Sequence, residues 1–313
     1  LTSRPERSRT PWQLSAMAGT LAATRDRLFV GNSGTTMRFL TAAATLADGP
    51  VVIDGVARMR QRPIGDLLAA LRQLGADVAS LEQVGFPPVR VGGGGLPGGE
   101  ATIRGDLSSQ FYSGLLLAAP YADRDVVLEV DGPLVSVPYV RMTLQVMEDF
   151  GATAEATEAY DRVVVPGRQT YRGTNYLVEA DASAASYFFA AAAVVGGEVC
   201  VEGLSRDSLQ GDVAFCQCLE EMGCSVQYRS QEISVQRTGN LRAIDVDMNA
   251  ISDTVQTLAV VALFAEGTTK IRNVAHIRHK ETDRISAVAT ELRKLGATVG
   301  ETDDGLEITP GML

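Results

Sequence analysis

The stretch His276–Gly300, HIRHKETDRISAVATELRKLGATVG, contains the phrase whose recurrence sets the fold. From Glu281 onward it predicts an amphipathic helix, because Ile285, Val288, Ala289, Leu292 and Leu295 fall on one stripe at helical spacing. Gly296 suits a left-handed helix cap, and the ATV after it begins a strand. The first turn runs against helix electrostatics. A helix N-terminus is partly positive and prefers acids, as Glu281 and Asp283 supply, yet Lys280 and Arg284 stand beside them. Cations gathered at such an end point to a negative group held between them.

The phrase recurs. LLAALRQLGADV, TLQVMEDFGATAE, FCQCLEEMGCSVQ and ATELRKLGATVG each read as amphipathic helix, glycine, then strand. Their glycines, Gly75, Gly151, Gly223 and Gly296, are separated by 76, 72 and 73 residues, a period that defines four repeated units. Each unit also carries an earlier helix rich in small and apolar residues, such as SGTTMRFLTAAATLA or DASAASYFFAAAAVV, followed by a strand. Those first helices lack a wide polar face and are expected to be buried, with the second helices outside them. PVRVGGGG and EATIRGD are expected to form extra hairpin strands between units, with Gly92–Gly95 as a flexible hairpin loop. Units opening at Asn32 and Ser108 precede the predicted domain boundary, and those opening at Asp181 and Ser252 follow it, giving domains at 1–178 and 179–313.

The polar signals fall at equivalent places. First helices open with the cap-bearing phrases GNSGTTMR, DLSSQ, ADASAAS and NAISDT. Second helices open near RQRPIG, VPYVR, QGDVAF and HKETDR, with Pro63 and Pro138 suited to a first turn. If the units pack about a pseudo-symmetry axis, several helix N-termini share one space, a ready anion site. Arg38, Arg62, Arg141, Lys280 and Arg284 at those ends would then serve a multiply charged anionic ligand.

Composition sets limits on the partner. The chain has 313 residues, 45% hydrophobic and 21% charged, with a net charge of −10. That balance excludes a general nucleic-acid binder and requires any anion site to be a local cluster. The longest apolar runs are too short for a bilayer span, and no signal peptide is read. Four cysteines in a chain of this length predict reduced thiols and a cytoplasmic location. The chain opens at Leu1 without Met, as an excerpt of a longer sequence would.

GNSGTTMRF, MRQRPIG, SSQF, SVPY, DMNAISDT and RHKETDR, in this order between Leu28 and Pro310, resemble the enolpyruvyl transferases, and within them the branch acting on shikimate 3-phosphate. The resemblance implies an α/β (α+β) fold of two domains, each of three β-α-β-α-β-β units with buried and outer helices, joined by two crossovers around a cleft. It implies transfer of the enolpyruvyl group of phosphoenolpyruvate to the 5-hydroxyl of shikimate 3-phosphate. No cofactor or metal, no membrane and no nucleic acid are implied, and a monomer is expected. Carried over motif by motif, Asp253 is the base and a substrate-hydroxyl ligand, and Glu281 transfers the proton at C3. Asn32, Gly34, Thr35, Arg62, Gln110 and Arg284 would bind phosphoenolpyruvate. Ser108, Ser109, Gln110, Ser136, Tyr139, Asp253 and Lys280 would bind shikimate 3-phosphate. Arg38 lies in the matching loop helix, with a structural role left open.

The departures are specific. The family's N-terminal PGSKS-like segment and C-terminal DHR segment with a later lysine are not found, leaving roughly one repeat of about 74 residues unmatched. Phe39 stands where many members have proline, which bears on inhibitor fit. The nearest rival is the branch that uses UDP-N-acetylglucosamine, which usually has a cysteine before its RP motif; VARMRQRPIG has none. A truncated, non-catalytic anion binder and an RNA-phosphate cyclase relative also compete. Taken singly the residues read blandly. Glu281 and Arg284 would be a surface pair, and Asp253 or SSQ a helix cap. Cys216, Cys218 and Cys224 read as buried thiols rather than zinc ligands. Of His276 and His279, one is expected at the cleft entrance and the other in solvent.

Overall fold

The glycines that mark the period close their helices as the sequence predicts. Gly75, Gly151, Gly223 and Gly296 have φ of 86, 85, 105 and 88°. In three of the four, paired backbone bonds complete a Schellman cap: Gly75 N–H to Arg72 C=O with Ala76 N–H to Leu71 C=O, and likewise Gly151 with Ala152, and Gly296 with Ala297. The chain is described by a computed structural model covering residues 21–23 and 26–311.

Eight α-helices are assigned among the described residues: α1 (Gly34–Ala43), α2 (Gly65–Gln73), α3 (Ser109–Ala118), α4 (Val137–Asp149), α5 (Ala182–Val195), α6 (Phe215–Glu221), α7 (Val255–Val261) and α8 (Arg284–Lys294). They divide into four units of two. In the first unit the strands lie in the order Arg27–Phe29, Val51–Asp54, Val89–Val91, Val78–Ser80. The first pair is parallel, joined through α1, with Arg27 opposite Val52; the others are antiparallel. The second unit (Gly99–Arg104, Val126–Asp131, Arg162–Val165, Glu155–Ala156) and the fourth (Asp245–Asp247, Thr269–Arg272, Gly305–Thr309, Thr298–Thr302) repeat that order. The third unit has three strands, with none ahead of α5 among the described residues.

Pairing changes the reading of the glycine run. Val89–Val91 closes the first sheet and Gly99–Arg104 opens the second, parallel to Val126–Asp131, so the two are not a hairpin. Gly92–Gly95 is an inter-sheet strap rather than a flexible loop. Gly94 and Gly95 N–H donate to Ala47 and Thr45 C=O at 2.7 and 2.9 Å. At Gly93, with φ +72°, a Cβ would lie 2.6 Å from a backbone oxygen. Local pattern shows a strand but not its partner.

Two hydrophobic cores result. One gathers side chains from Met37 to Val165, the other from Ala182 to Ile308. Helix α3 is the innermost element of its lobe, with eight of its ten residues buried. Helix α5 differs from the expected full burial: Tyr187, Phe188 and Val195 are 64, 62 and 84% exposed, because the sheet, α6 and α7 cover only its other side. The lobes meet where Pro138 packs on Gly211 and where Ser136 N–H donates to Asn249 Oδ1 at 3.2 Å. Arg58 also reaches across, donating to the carbonyls of Glu281 and Lys280 at 3.0 and 3.3 Å.

Candidate active site

A cavity of about 370 Å³ lies between the lobes, lined by Asn32, Gly34, Thr35, Arg62 and Gln110 from one and by Asp253, Lys280, Glu281 and Arg284 from the other. Its first wall is the start of α1. Ser33 caps that helix through Thr36 N–H. Arg62 donates to Asn32 C=O at 2.9 Å and lies over Gly34, where a Cβ would fall 2.4 Å from Nη2. Glycine is therefore what lets a guanidinium approach this helix end. Arg62 is 5% exposed, and its Nε has no partner among the described residues. Burial, partly offset by Glu281, with Arg58 and Arg284 adding to it, lowers its pKa.

Gln110 is held from both sides. Its Oε1 accepts from Arg38 at 2.5 Å, and its Nε2 donates to Thr35 Oγ1 at 3.0 Å. Arg38 also donates to Ser108 Oγ at 3.3 Å and stacks over Phe111. Burial and the neighbouring Arg62 lower its pKa to about 9. The role left open in sequence is thus orientation of the Gln110 amide. Ser108 caps α3 through Gln110 N–H, while Ser109 and Ser136 are buried outside the cavity lining. Ser136 has φ +55°, a left-handed conformation unusual for serine. Arg141 is exposed and stands apart from the other four cations.

On the opposite wall one guanidinium serves two acids. Arg284 donates to Asp253 Oδ1 at 2.6 Å and grips both oxygens of Glu281 at 2.7 and 3.0 Å. Burial pushes Asp253 up, but Lys280 and Arg284 more than offset it and hold the carboxyl below its usual range. The balance at Glu281 is the same: burial raises, and the Arg284 bonds and charge lower. Burial lowers Lys280, with Asp253 opposing and Arg284 and Arg38 adding to the fall. Asp253 makes no cap bond; it sits in the kinked 3-10 segment Asn249–Thr254 just ahead of α7, and Lys280 and Arg284 are what lower its pKa. Likewise α8 starts at Arg284, capped by Asp283 through Ser286 N–H, and Glu281 precedes it. Pro63 also lies ahead of its helix, since α2 starts at Gly65.

Tyr139 reaches from α4 to the second lobe, its hydroxyl 3.0 Å from Asp212 Oδ2 and 3.3 Å from Asp253 Oδ2. Asp212 and Arg58 escape a reading of the sequence alone. The signal for Asp212 is its place in QGDVAF, the opening of the third unit's second helix and the counterpart of HKETDR. His276 is buried at 5% exposure with Nε2 2.9 Å from Ser252 Oγ rather than at the cleft entrance, while His279 is exposed. A larger groove of about 610 Å³ lies on the first lobe, lined by Glu100, Asp123, Arg124, Asp125 and Arg168. Three acids and two arginines line it, and the arginines donate to Gly98 and Asp123 C=O. Nine of the site residues expected from the sequence line the smaller cavity instead.

Comparison with known proteins gives the family. A family model described as EPSP synthase (3-phosphoshikimate 1-carboxyvinyltransferase) matches residues 2–313. The chain is 53% identical over 294 residues to the chloroplastic 3-phosphoshikimate 1-carboxyvinyltransferase of Brassica napus, covering 90% of this chain and 57% of that protein. It is 51% identical over 284 residues to the enzyme of that name from Photobacterium profundum, covering 90% and 66%. The structure of EPSP synthase from Acinetobacter baumannii matches with a TM-score of 0.72 at 27% identity, over 91% of this chain and 65% of that one. The chain thus spans less than two thirds of these relatives. About a third or more of each relative lies outside the match, more than the single repeat expected from the missing motifs.

Proposed function

Because this chain belongs to the EPSP synthase family and has its two-domain enolpyruvyl-transferase fold, we propose that its cleft binds phosphoenolpyruvate and shikimate 3-phosphate and transfers the enolpyruvyl group between them, releasing phosphate. The observation that carries the proposal is the cation arrangement. Arg62 on one lobe and Arg284 on the other face each other across a cavity that also holds two acids, Asp253 and Glu281. Arg62, with Asn32, Gly34 and Thr35 at the α1 terminus, would hold the phosphate and carboxylate of the donor, with Arg284 opposite. Ser108, Ser109, Ser136, Gln110, Tyr139 and Lys280 would hold the shikimate 3-phosphate.

The two acids divide the work. Asp253, ionised by its cations, takes the 5-hydroxyl proton as that oxygen attacks C2. Glu281 delivers a proton to C3. An incoming donor brings negative charge to the same Arg284 and Lys280, which raises the Glu281 pKa and lets it carry that proton. Loss of phosphate from the tetrahedral intermediate reverses the C3 protonation. The reading includes a monomer and a cytoplasmic location, and the four free cysteines fit a reducing compartment. The test is Glu281→Gln, with steady-state kinetics and exchange of solvent deuterium into C3 of phosphoenolpyruvate. Turnover and exchange should fall at least about a hundredfold, with substrate binding little changed. Near-normal exchange in the variant would reduce HKETDR to an anion-binding loop.

A further inference from the structure

Asp212 has no role in the chemistry above, and its surroundings are unusual for a carboxylate. It is 3% exposed. Among the described residues no lysine or arginine bonds to it; Oδ2 accepts from the hydroxyls of Ser183 and Tyr139, and the buried Oδ1 has no partner. The charged groups around it are Asp181 at the start of α5 and Asp253 from the Asn249–Thr254 segment; Lys280 and Arg284 act on Asp253 instead. One phenol hydroxyl therefore lies between two carboxylates, 3.0 Å from one and 3.3 Å from the other. Its single proton can serve only one of them.

We infer that Asp253, Tyr139 and Asp212 form a proton relay in which Asp212 takes over the proton that Asp253 lifts from the substrate hydroxyl. The step rests on Asp253 being the base proposed above. The substrate O–H bond breaks, its electron pair forms the new C–O bond, and the proton joins Asp253. Asp253 passes it to the Tyr139 oxygen while Tyr139 gives its own proton to Asp212. Asp253 and Tyr139 return to their starting forms and Asp212 ends neutral. As the C–O bond to phosphate breaks, the proton returns by the same path through Tyr139 and Asp253 to the departing phosphate, and Asp212 is ionised again. The bias runs the right way. Burial pushes the Asp212 carboxyl up, with Asp253 and Asp181 adding to the rise against the two hydroxyl bonds, while Lys280 and Arg284 hold Asp253 down. Asp212 is thus a positioning residue that acts on substrate through Tyr139 and Asp253.

The test is a carbon-13 NMR titration of the full chain labelled at the aspartate carboxyl carbons, with D212N and D253N assigning the two signals. Asp212 should take up its proton at higher pH than Asp253, and Tyr139→Phe should move both midpoints. Asp253 titrating first, or both midpoints unmoved in Tyr139→Phe, overturns the relay. In turnover, D212N should lower kcat about tenfold or more, with KM for either substrate within about threefold. The proton inventory in H2O–D2O mixtures should be curved for the parent and linear for D212N. Unchanged kcat with a curved inventory in D212N also overturns it. A parent chain that shows the ordered titration yet turns over neither substrate refutes the proposed activity and supports the carboxyl pair.

Discussion

Gly34→Ala isolates the close approach of Arg62 to α1. The position is helical, so alanine fits the backbone and stability should hold or rise by up to about 1 kcal/mol. The added Cβ would meet Arg62 Nη2 at 2.4 Å and Cζ at 2.9 Å. An unstrained contact needs about 3.5 Å, so the guanidinium must retreat by about 1 Å. That displacement breaks one charge-assisted hydrogen bond to a bound anion, worth about 1.5–3 kcal/mol, or about 10- to 150-fold in affinity. Calorimetric titration of phosphoenolpyruvate with shikimate 3-phosphate present should show that loss, while shikimate 3-phosphate binding alone changes less than about threefold. A melting scan guards against misfolding. Equal loss for both ligands, or none for phosphoenolpyruvate, would mean that Arg62 is not the donor clamp.

His276 should make the fold acid-sensitive. Burial, with Lys280 the next largest cause, lowers its pKa from 6.5 to about 4. The unfolded chain therefore binds a proton between those values that the folded chain refuses, and stability falls as pH drops through that window by about 3 kcal/mol. His276→Asn should flatten Tm between pH 6.5 and pH 4.5; an unchanged slope would assign it to other groups. Arg58→Ala removes both bonds to the Lys280 and Glu281 carbonyls. Small-angle scattering should show a wider lobe separation and calorimetry about tenfold weaker phosphoenolpyruvate binding, whereas a parental scattering curve would show that Arg58 holds nothing closed.

What is legible in the sequence is local. The cap glycines and helix stripes depend on near neighbours in the chain, so period and unit order can be read directly, and with them the placement of the cations other than Arg141. Gly92–Gly95 defeats a local reading because the partners of Val89–Val91 and Gly99–Arg104 lie in different sheets. Asp253 is ionised for a reason its own segment does not display, since Arg284 beside it comes from 31 residues further along the chain. Asp212 and Arg58 gain meaning only when two separately built cores meet, which no window of one chain segment displays.

The sharing of Arg284 by Asp253 and Glu281 has a consequence for timing. A single tether on two acids works as an interlock: whatever draws Arg284 away loosens both together. In the proposed reaction an anionic donor would compete for that one guanidinium, freeing Glu281 to take up a proton while Lys280 continues to hold Asp253 ionised. Until then both acids stay quenched by the cation between them, which gives an idle cleft no free acid with which to protonate a stray ligand.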